Sequence, residues 1–223
     1  IDNTFYPLDK QEFQRFSPYL WQTNQPMYED YLRSFIPALK AQGFFDGSKL
    51  VGVAAPDTTV NKRMVDTVFN EEMQKAGAPP TVVEYVAVDD PNTLSKNAFQ
   101  AAQNLKTKGA DRILFLGGQR LAPFFSTSVP VLDYYVPWGV SSFDNPRYFS
   151  DNGDVNLGTT AKSVENAKGI SYSPSADIAQ TTLPYPTENE AICQQVYSQM
   201  GLELTTRSEA RGPTLYCEAA LFA

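Results

Sequence analysis

The chain alternates. Short apolar runs rich in β-branched residues recur at "KLVGVAAPD" (49–57), "TVVEYVAV" (81–88), "RILFL" (112–116), "YYVPWGVSS" (134–142) and "GISYS" (169–173), with helix-like spacing between them. Residues 27–42 place Tyr28, Tyr31, Leu32, Phe35 and Leu39 on one face before Gly43, and Pro37 predicts a kink or an early break there. Residues 60–76 do the same with Met64, Val65, Val68, Phe69 and Met73, stopped by Gly77. Asp90 caps and Pro91 opens a third helix, whose stripe is Leu94, Ala98, Ala101, Ala102 and Leu105 and whose stop is Gly109. A short helix is expected from about 121 to 126, and another near 158–167. Strands separated by helices cannot pair as hairpins and need crossovers, so the expected class is α/β. The expected sheet is doubly wound, parallel and five-stranded, from segments near 50–54, 81–88, 112–116, 136–141 and 169–172. Its order should be flavodoxin-like, with 81–88 on an edge and, from its apolar residues at both parities, covered on both faces.

Two segments do not fit one sheet domain. "PSADIAQTTLPYP" (174–186) has no period and reads as a linker. Beyond it, "TENEAICQQVYSQMG" opens with a capping box, Thr187 and Glu190, and "PTLYCEAALFA" reads as a last apolar helix. Helices that follow a completed sheet are expected to belong to another lobe.

What the chain lacks narrows its chemistry. It has no histidine, which removes Ser-His and Cys-His dyads and the commonest zinc ligand. Its two cysteines, Cys193 and Cys217, are expected to form one disulfide, implying an oxidising compartment, with two buried thiols as the other reading. A net charge of −7 with scattered basic residues argues against a nucleic-acid surface. No apolar run approaches the ~20 residues that span a bilayer. Gly117-Gly118 lacks the third glycine of a dinucleotide fingerprint, and no phosphate-binding loop or nucleophile elbow occurs. "DNGDVNLG" (151–158) departs from the EF-hand spacing and reads as a surface turn. No cofactor or metal is expected.

In an open parallel sheet, ligands bind beyond the carboxyl ends of the strands. Those ends are "APDTT" (55–59), "GGQR" (117–120) and "SSFDN" (141–145), each small or polar. Gly117-Gly118 is readable as a tight turn alone or as a place where a ligand meets the backbone. Beside the other two loops, binding is the stronger reading.

The longer segments resemble a known family. "YLWQTNQPMYEDYLRSFIPALKAQG" followed by "SKLVGVAAPD", then "LSKNAFQAAQNLKTKGADRILFLGG", "YYVPWGVSSFDNP" and "SPSAD" with a later Cys-containing helix, are similar to the second lobe of type 1 periplasmic solute-binding proteins, in the branch of branched-chain amino acid receptors of ABC transporters. The resemblance implies residues 1–20 as the end of a first lobe or crossover, 21–173 as the ligand-binding second lobe, and 174–223 as linker and helices returning to the first. It implies a small polar ligand, amino acid-like or a carboxylate, held without bond chemistry between this lobe and a first lobe outside the sequence. It also implies a membrane permease as partner and a periplasmic or extracellular location, with a lipoprotein anchor as one form. Carried over by position, the ligand-binding candidates are Trp21, Asp57, Thr58, Thr59, Gly118, Gln119, Arg120, Ser142, Phe143 and Asp144. Gln119-Arg120 stand where the family tends to have tyrosines, which points away from an aliphatic amino acid and toward an extra carboxylate or a polar ligand. Trp21 and Phe143 are expected as exposed aromatics beside polar groups. Two other readings stay open: an effector-binding domain of a receptor or regulator, and an enzyme in which Arg120, Asp57 and Asp144 converge.

Overall fold

A computed structural model describes residues 8–20, 25–118, 121–144, 146, 149, 164–172, 186, 188–204, 213 and 217. Five strands, β1 (Val51–Pro56), β2 (Thr81–Val86), β3 (Arg112–Phe115), β4 (Trp138–Ser141) and β5 (Lys168–Ile170), form one sheet in the order β2-β1-β3-β4-β5. All four pairings are parallel. The expected doubly wound sheet and its flavodoxin-like order are therefore the observed ones, with 81–88 at an edge.

Before the sheet come α1 (Lys10–Phe16) and α2 (Tyr28–Ala41). Pro37 lies inside α2 without ending it. A proline in a helix interior costs roughly 3 kcal/mol. Against it stand Tyr31, Leu32, Phe35, Ile36 and Leu39, all buried, at roughly 1.5–3 kcal/mol each. Packing outweighs the lost hydrogen bond, so the expected early break does not occur.

The helix after β1 is α3 (Thr59–Met64), a π turn (Val65–Phe69) and α4 (Asn70–Lys75) in continuous sequence. Its predicted stripe, Met64, Val65, Val68, Phe69 and Met73, is buried throughout. α2 and this helix cover one face of the sheet. α5 (Pro91–Thr107), capped by Asp90, and α6 (Leu121–Leu132) share the other core with Phe115 and Trp138. α6 runs well past the expected end near 126, because Val129 is fully buried and holds another turn against the sheet. It stops at Asp133, whose φ of 46° is left-handed. β2 corrects a second expectation: five of its six residues are half-buried, since an edge strand gets less cover than β1, which is buried along its whole length.

At the amino end of β3, the Asp111 carboxylate accepts hydrogen bonds from Ser48 Oγ (2.6 Å) and the Lys49 amide (2.8 Å). Partial burial pushes its pKa up, but these bonds and Arg112 hold it below the usual carboxylate value. A depressed folded-state pKa contributes stability above the unfolded value, near 4, which is lost as pH falls through the folded one. Asp111→Asn should therefore flatten the acid side of the stability curve between those two values, measured by urea unfolding from pH 5 downward.

α7 (Glu188–Gln199) carries Cys193, which is fully buried and bonded to Cys217 with Cα atoms 5.8 Å apart. The sequence separation of 24 closes a loop worth about 3 kcal/mol in the chain-entropy account. Reduction should leave amide exchange in β1 and β3 unchanged and raise it in α7. Equal loss of protection in both places would mean that the bridge supports the whole fold. The linker 174–186, apart from Pro186, and the turn 151–158 lie outside the described residues.

Candidate functional site

The order β1-β3-β4 places three loops side by side at the carboxyl edge: Asp57–Thr59 after β1, Gly117–Gly118 after β3 and Ser142–Asp144 after β4. Trp21, Gln119 and Arg120 lie outside the described residues.

The first loop is the most exposed. The Asp57 amide donates to Val86 O (2.8 Å), tying the loop to the edge strand. Its carboxylate lies 2.5 Å from Lys62 Nζ, and both side chains are about half exposed. The hydrogen bond to Asp57 raises the Lys62 pKa, and the ammonium sits 5.4 Å from the centre of the Tyr85 ring. Thr59 is exposed at the start of α3. Thr58 is its N-cap, accepting the Asn61 amide at 3.1 Å.

Asn61 joins this loop to the next. Its Nδ2 donates to Thr58 Oγ1 (2.9 Å), and its Oδ1 accepts from the Tyr28 hydroxyl (2.7 Å) at the start of α2. Gly117 follows β3 with φ 81°, and a Cβ there would lie 2.1 Å from Asn61 Oδ1. Gly118 is also left-handed, with φ 70°. The two glycines let the chain turn closely over a buried amide, and the turn is buried with them.

The third loop folds inward. Ser142, Phe143 and Asp144 form one 3₁₀ turn and are all at most 2% exposed. The Asp144 carboxylate accepts from the Ser141 amide at 2.8 Å. Ser142 Oγ accepts from the Tyr172 amide just after β5 (2.9 Å). Phe143 meets Tyr31 edge-on, with ring centres 4.9 Å apart, and lies 5.0 Å from the Tyr172 ring. The expectation that Phe143 is an exposed aromatic is thus corrected: two tyrosines distant in sequence close over it. Burial raises the pKa of both Tyr28 and Tyr31, and the nearby Asp144 charge adds to it, so both stay protonated donors.

Asp57 and Asp144 do not converge. One pairs with Lys62 at the surface, and the other closes the end of β4. Among the described residues no group of three acidic or cysteine side chains could hold a metal ion. No described helix is long and apolar enough to cross a membrane.

Sequence reasoning missed Asn61, and it read Tyr28 and Tyr31 only as core residues. The available signal was Thr58 with an amide three positions on, the spacing of a cap whose N3 residue turns back. The edge as built offers an exposed charged pair and a threonine hydroxyl above a firm, hydrogen-bonded floor, and that arrangement can orient a polar molecule.

An α/β lobe of this strand order, with its loops gathered on one edge, has a fold shared with extracellular ligand-binding receptors. The solved receptor from Verminephrobacter eiseniae matches 89% of this chain with a TM-score of 0.55 at 13% identity. This chain spans about half the length of that protein, 50%. The likeness is one of fold. A type 1 periplasmic binding protein from Bordetella pertussis aligns over 60% of this chain and 32% of its own, with a TM-score of 0.39 at 15% identity. A solute-binding protein of an ABC transporter from R. palustris, solved with 4-hydroxybenzoate, aligns over 56% and 33%, with a TM-score of 0.40 at 18% identity. No protein-family model matches the sequence, and no curated protein is detectably similar to it.

Proposed function

We propose that this chain is the second lobe of a solute-binding protein and that its carboxyl edge is one wall of an interlobe cleft. The observation that carries the reading is the gathering of Asp57–Thr59, Gly117–Gly118 and Ser142–Asp144 on one edge of adjacent strands, which is where open α/β sheets take ligands. The ligand is a small polar molecule, amino acid-like or a carboxylate, and the work is binding without catalysis. Gln119 and Arg120, next to Gly118 in sequence, and Trp21 complete the wall. Residues 1–20 lead in from a first lobe, and 174–223 return to it.

Two further features support this reading. α7 exposes Ile192 and Val196 at 43% and Met200 just beyond it at 75%, a spacing of four that makes an apolar stripe suited to a first lobe outside the sequence. The Cys193–Cys217 bond suits a periplasmic or extracellular location. Delivery to an ABC-type permease, with or without a lipid anchor, belongs to the same proposal.

A thermal-shift screen of amino acids and small carboxylates tests it, on a protein that includes the first lobe. A binder should raise the melting temperature further with each tenfold excess over its Kd. Arg120→Ala with Asp57→Ala should weaken that binder by at least tenfold and leave the melting temperature of the free protein within a few degrees. An unchanged affinity would place the site elsewhere.

A further inference from the structure

The third edge loop is covered from the end of β5. Tyr172, just beyond that strand, donates its amide to Ser142 Oγ and sets its ring against Phe143. β5 itself has three residues and stands at one end of the sheet, paired with β4. A terminal strand leaves backbone groups without a neighbouring strand. Gln42, the C-cap of α2, fills that place with its side chain. Its Nε2 donates to Gly169 O at 2.8 Å, and its Oε1 accepts from the Gly169 amide at 3.2 Å. One side-chain amide thus stands where a further strand would pair. Gly169 is fitted to its other neighbour as well: a Cβ there would lie 1.9 Å from Val140 O, so a side chain would hold β5 off β4.

A short terminal strand opens more readily than the core of a fold, because few buried contacts have to break. Lys168 is exposed, and Gly169 and Ile170 are half-buried. Lifting these residues would carry Tyr172 away from the loop. Ser142 Oγ would lose the Tyr172 amide, and Phe143 would lose one of the two tyrosine rings that close over it while keeping Tyr31. A hydroxyl and an apolar ring would then be uncovered side by side at the carboxyl edge.

We infer that residues 168–172 form a strap over the third edge loop, that the Gln42 amide holds it shut, and that Ser142 and Phe143 meet a ligand when the strap lifts. The ligand suited to them carries a hydrogen-bonding group next to an apolar part. This use of the strap rests on the reading of the carboxyl edge as a cleft wall, whereas the strap itself can be followed with no ligand present.

Thiol labelling with iodoacetamide follows it on the 223-residue chain. Cys193 and Cys217 are bonded to each other, so an introduced cysteine is the one reactive thiol. Ser142→Cys puts that thiol beneath the strap. Ser128→Cys puts it at a buried position of α6, where it reports general unfolding. Gln42→Ala removes both side-chain bonds to Gly169 and keeps the backbone bond from residue 42 to Ala38 O. It should speed labelling of Ser142→Cys about tenfold, the worth of two modest net hydrogen bonds, and leave labelling of Ser128→Cys unchanged. Gly169→Ala forces β5 away from Val140 O and should speed labelling of Ser142→Cys further. The inference is overturned if Ser142→Cys is labelled equally fast with and without Gln42, if Ser128→Cys accelerates as much as Ser142→Cys, or if Gly169→Ala leaves Ser142→Cys as protected as in the parent. Each of these results is separate from failure of the cleft reading, which the thermal-shift screen decides with ligands.

Discussion

Gly117→Ala should lower the unfolding free energy by about 4 kcal/mol, read from urea denaturation. A non-glycine residue at φ 81° costs roughly 1–2 kcal/mol by itself. The added Cβ would lie 2.1 Å from Asn61 Oδ1, so the amide has to move. Moving it breaks the bonds to Tyr28 and Thr58 and leaves a buried phenol without its acceptor, at about 1–3 kcal/mol for each group stranded. A double-mutant cycle separates these contributions. In an Asn61→Ala background the same glycine substitution should cost only the backbone part, about 1–2 kcal/mol. An undiminished cost in that background would mean that Asn61 does not prop the turn. Since this turn is the middle of the three edge loops, the same cycle shows whether the floor of the proposed cleft is built by Tyr28, Asn61 and Gly117 together.

The second large effect concerns the segment before α2. Asp9 is fully buried, caps α1 by accepting the Glu12 amide at 2.7 Å, and pairs with Arg63 of α3, which is 30% exposed. The Lys10 amide donates to the Glu29 carboxylate, and the Tyr28 amide to Leu8 O. Residues 8–10 are thus clipped to the first turn of α2 and the last turn of α3, beside the edge that carries the loops. Arg63→Ala leaves a buried carboxylate without its cation, a change that costs about 3–5 kcal/mol in buried pairs. Here the carboxylate can escape to water if the segment lifts, so the loss should appear as local opening. Protection of the Phe13 and Tyr28 amides against exchange should fall by about a hundredfold, at 1.4 kcal/mol per tenfold. Protection in β1 and β3 should stay within a factor of a few. Asp9→Asn with Arg63→Ala should recover part of the loss, because the neutral amide no longer strands a charge. If the double variant opens as far as Arg63→Ala alone, the ion pair is not what holds the segment.

How much was legible in advance follows from the range of the forces involved. The stripes of α2, α5 and the helix after β1 are local matters, and Leu94, Ala98, Leu105, Met64 and Phe69 are buried as their spacing requires. Parallel pairing follows from the helical crossovers, and with it the placing of the loops after β1, β3 and β4 on one edge. The cysteine pairing offered one bridge among its alternatives, and that bridge is present. The length of α6 was misjudged, because its second half is held by burial of Val129 and not by its own propensity. Persistence of α2 through Pro37 has the same cause.

The amino-acid sequence by itself therefore determined the class of fold, the strand order and which edge the polar loops share, since hydrophobic period and chain connectivity act over a turn or a crossover. Tertiary structure alone decided what those loops present. Phe143 turns inward because Tyr31 and Tyr172, far apart in the chain, supply ring edges for it. Ser142 and Asp144 are taken up in closing β4 and β5, whereas Asp57 stays at the surface against Lys62. Asn61 gains its role only because β3 delivers a left-handed glycine beside it. A side chain's burial and hydrogen-bond partners are set by neighbours the fold brings from elsewhere, and no local pattern encodes them.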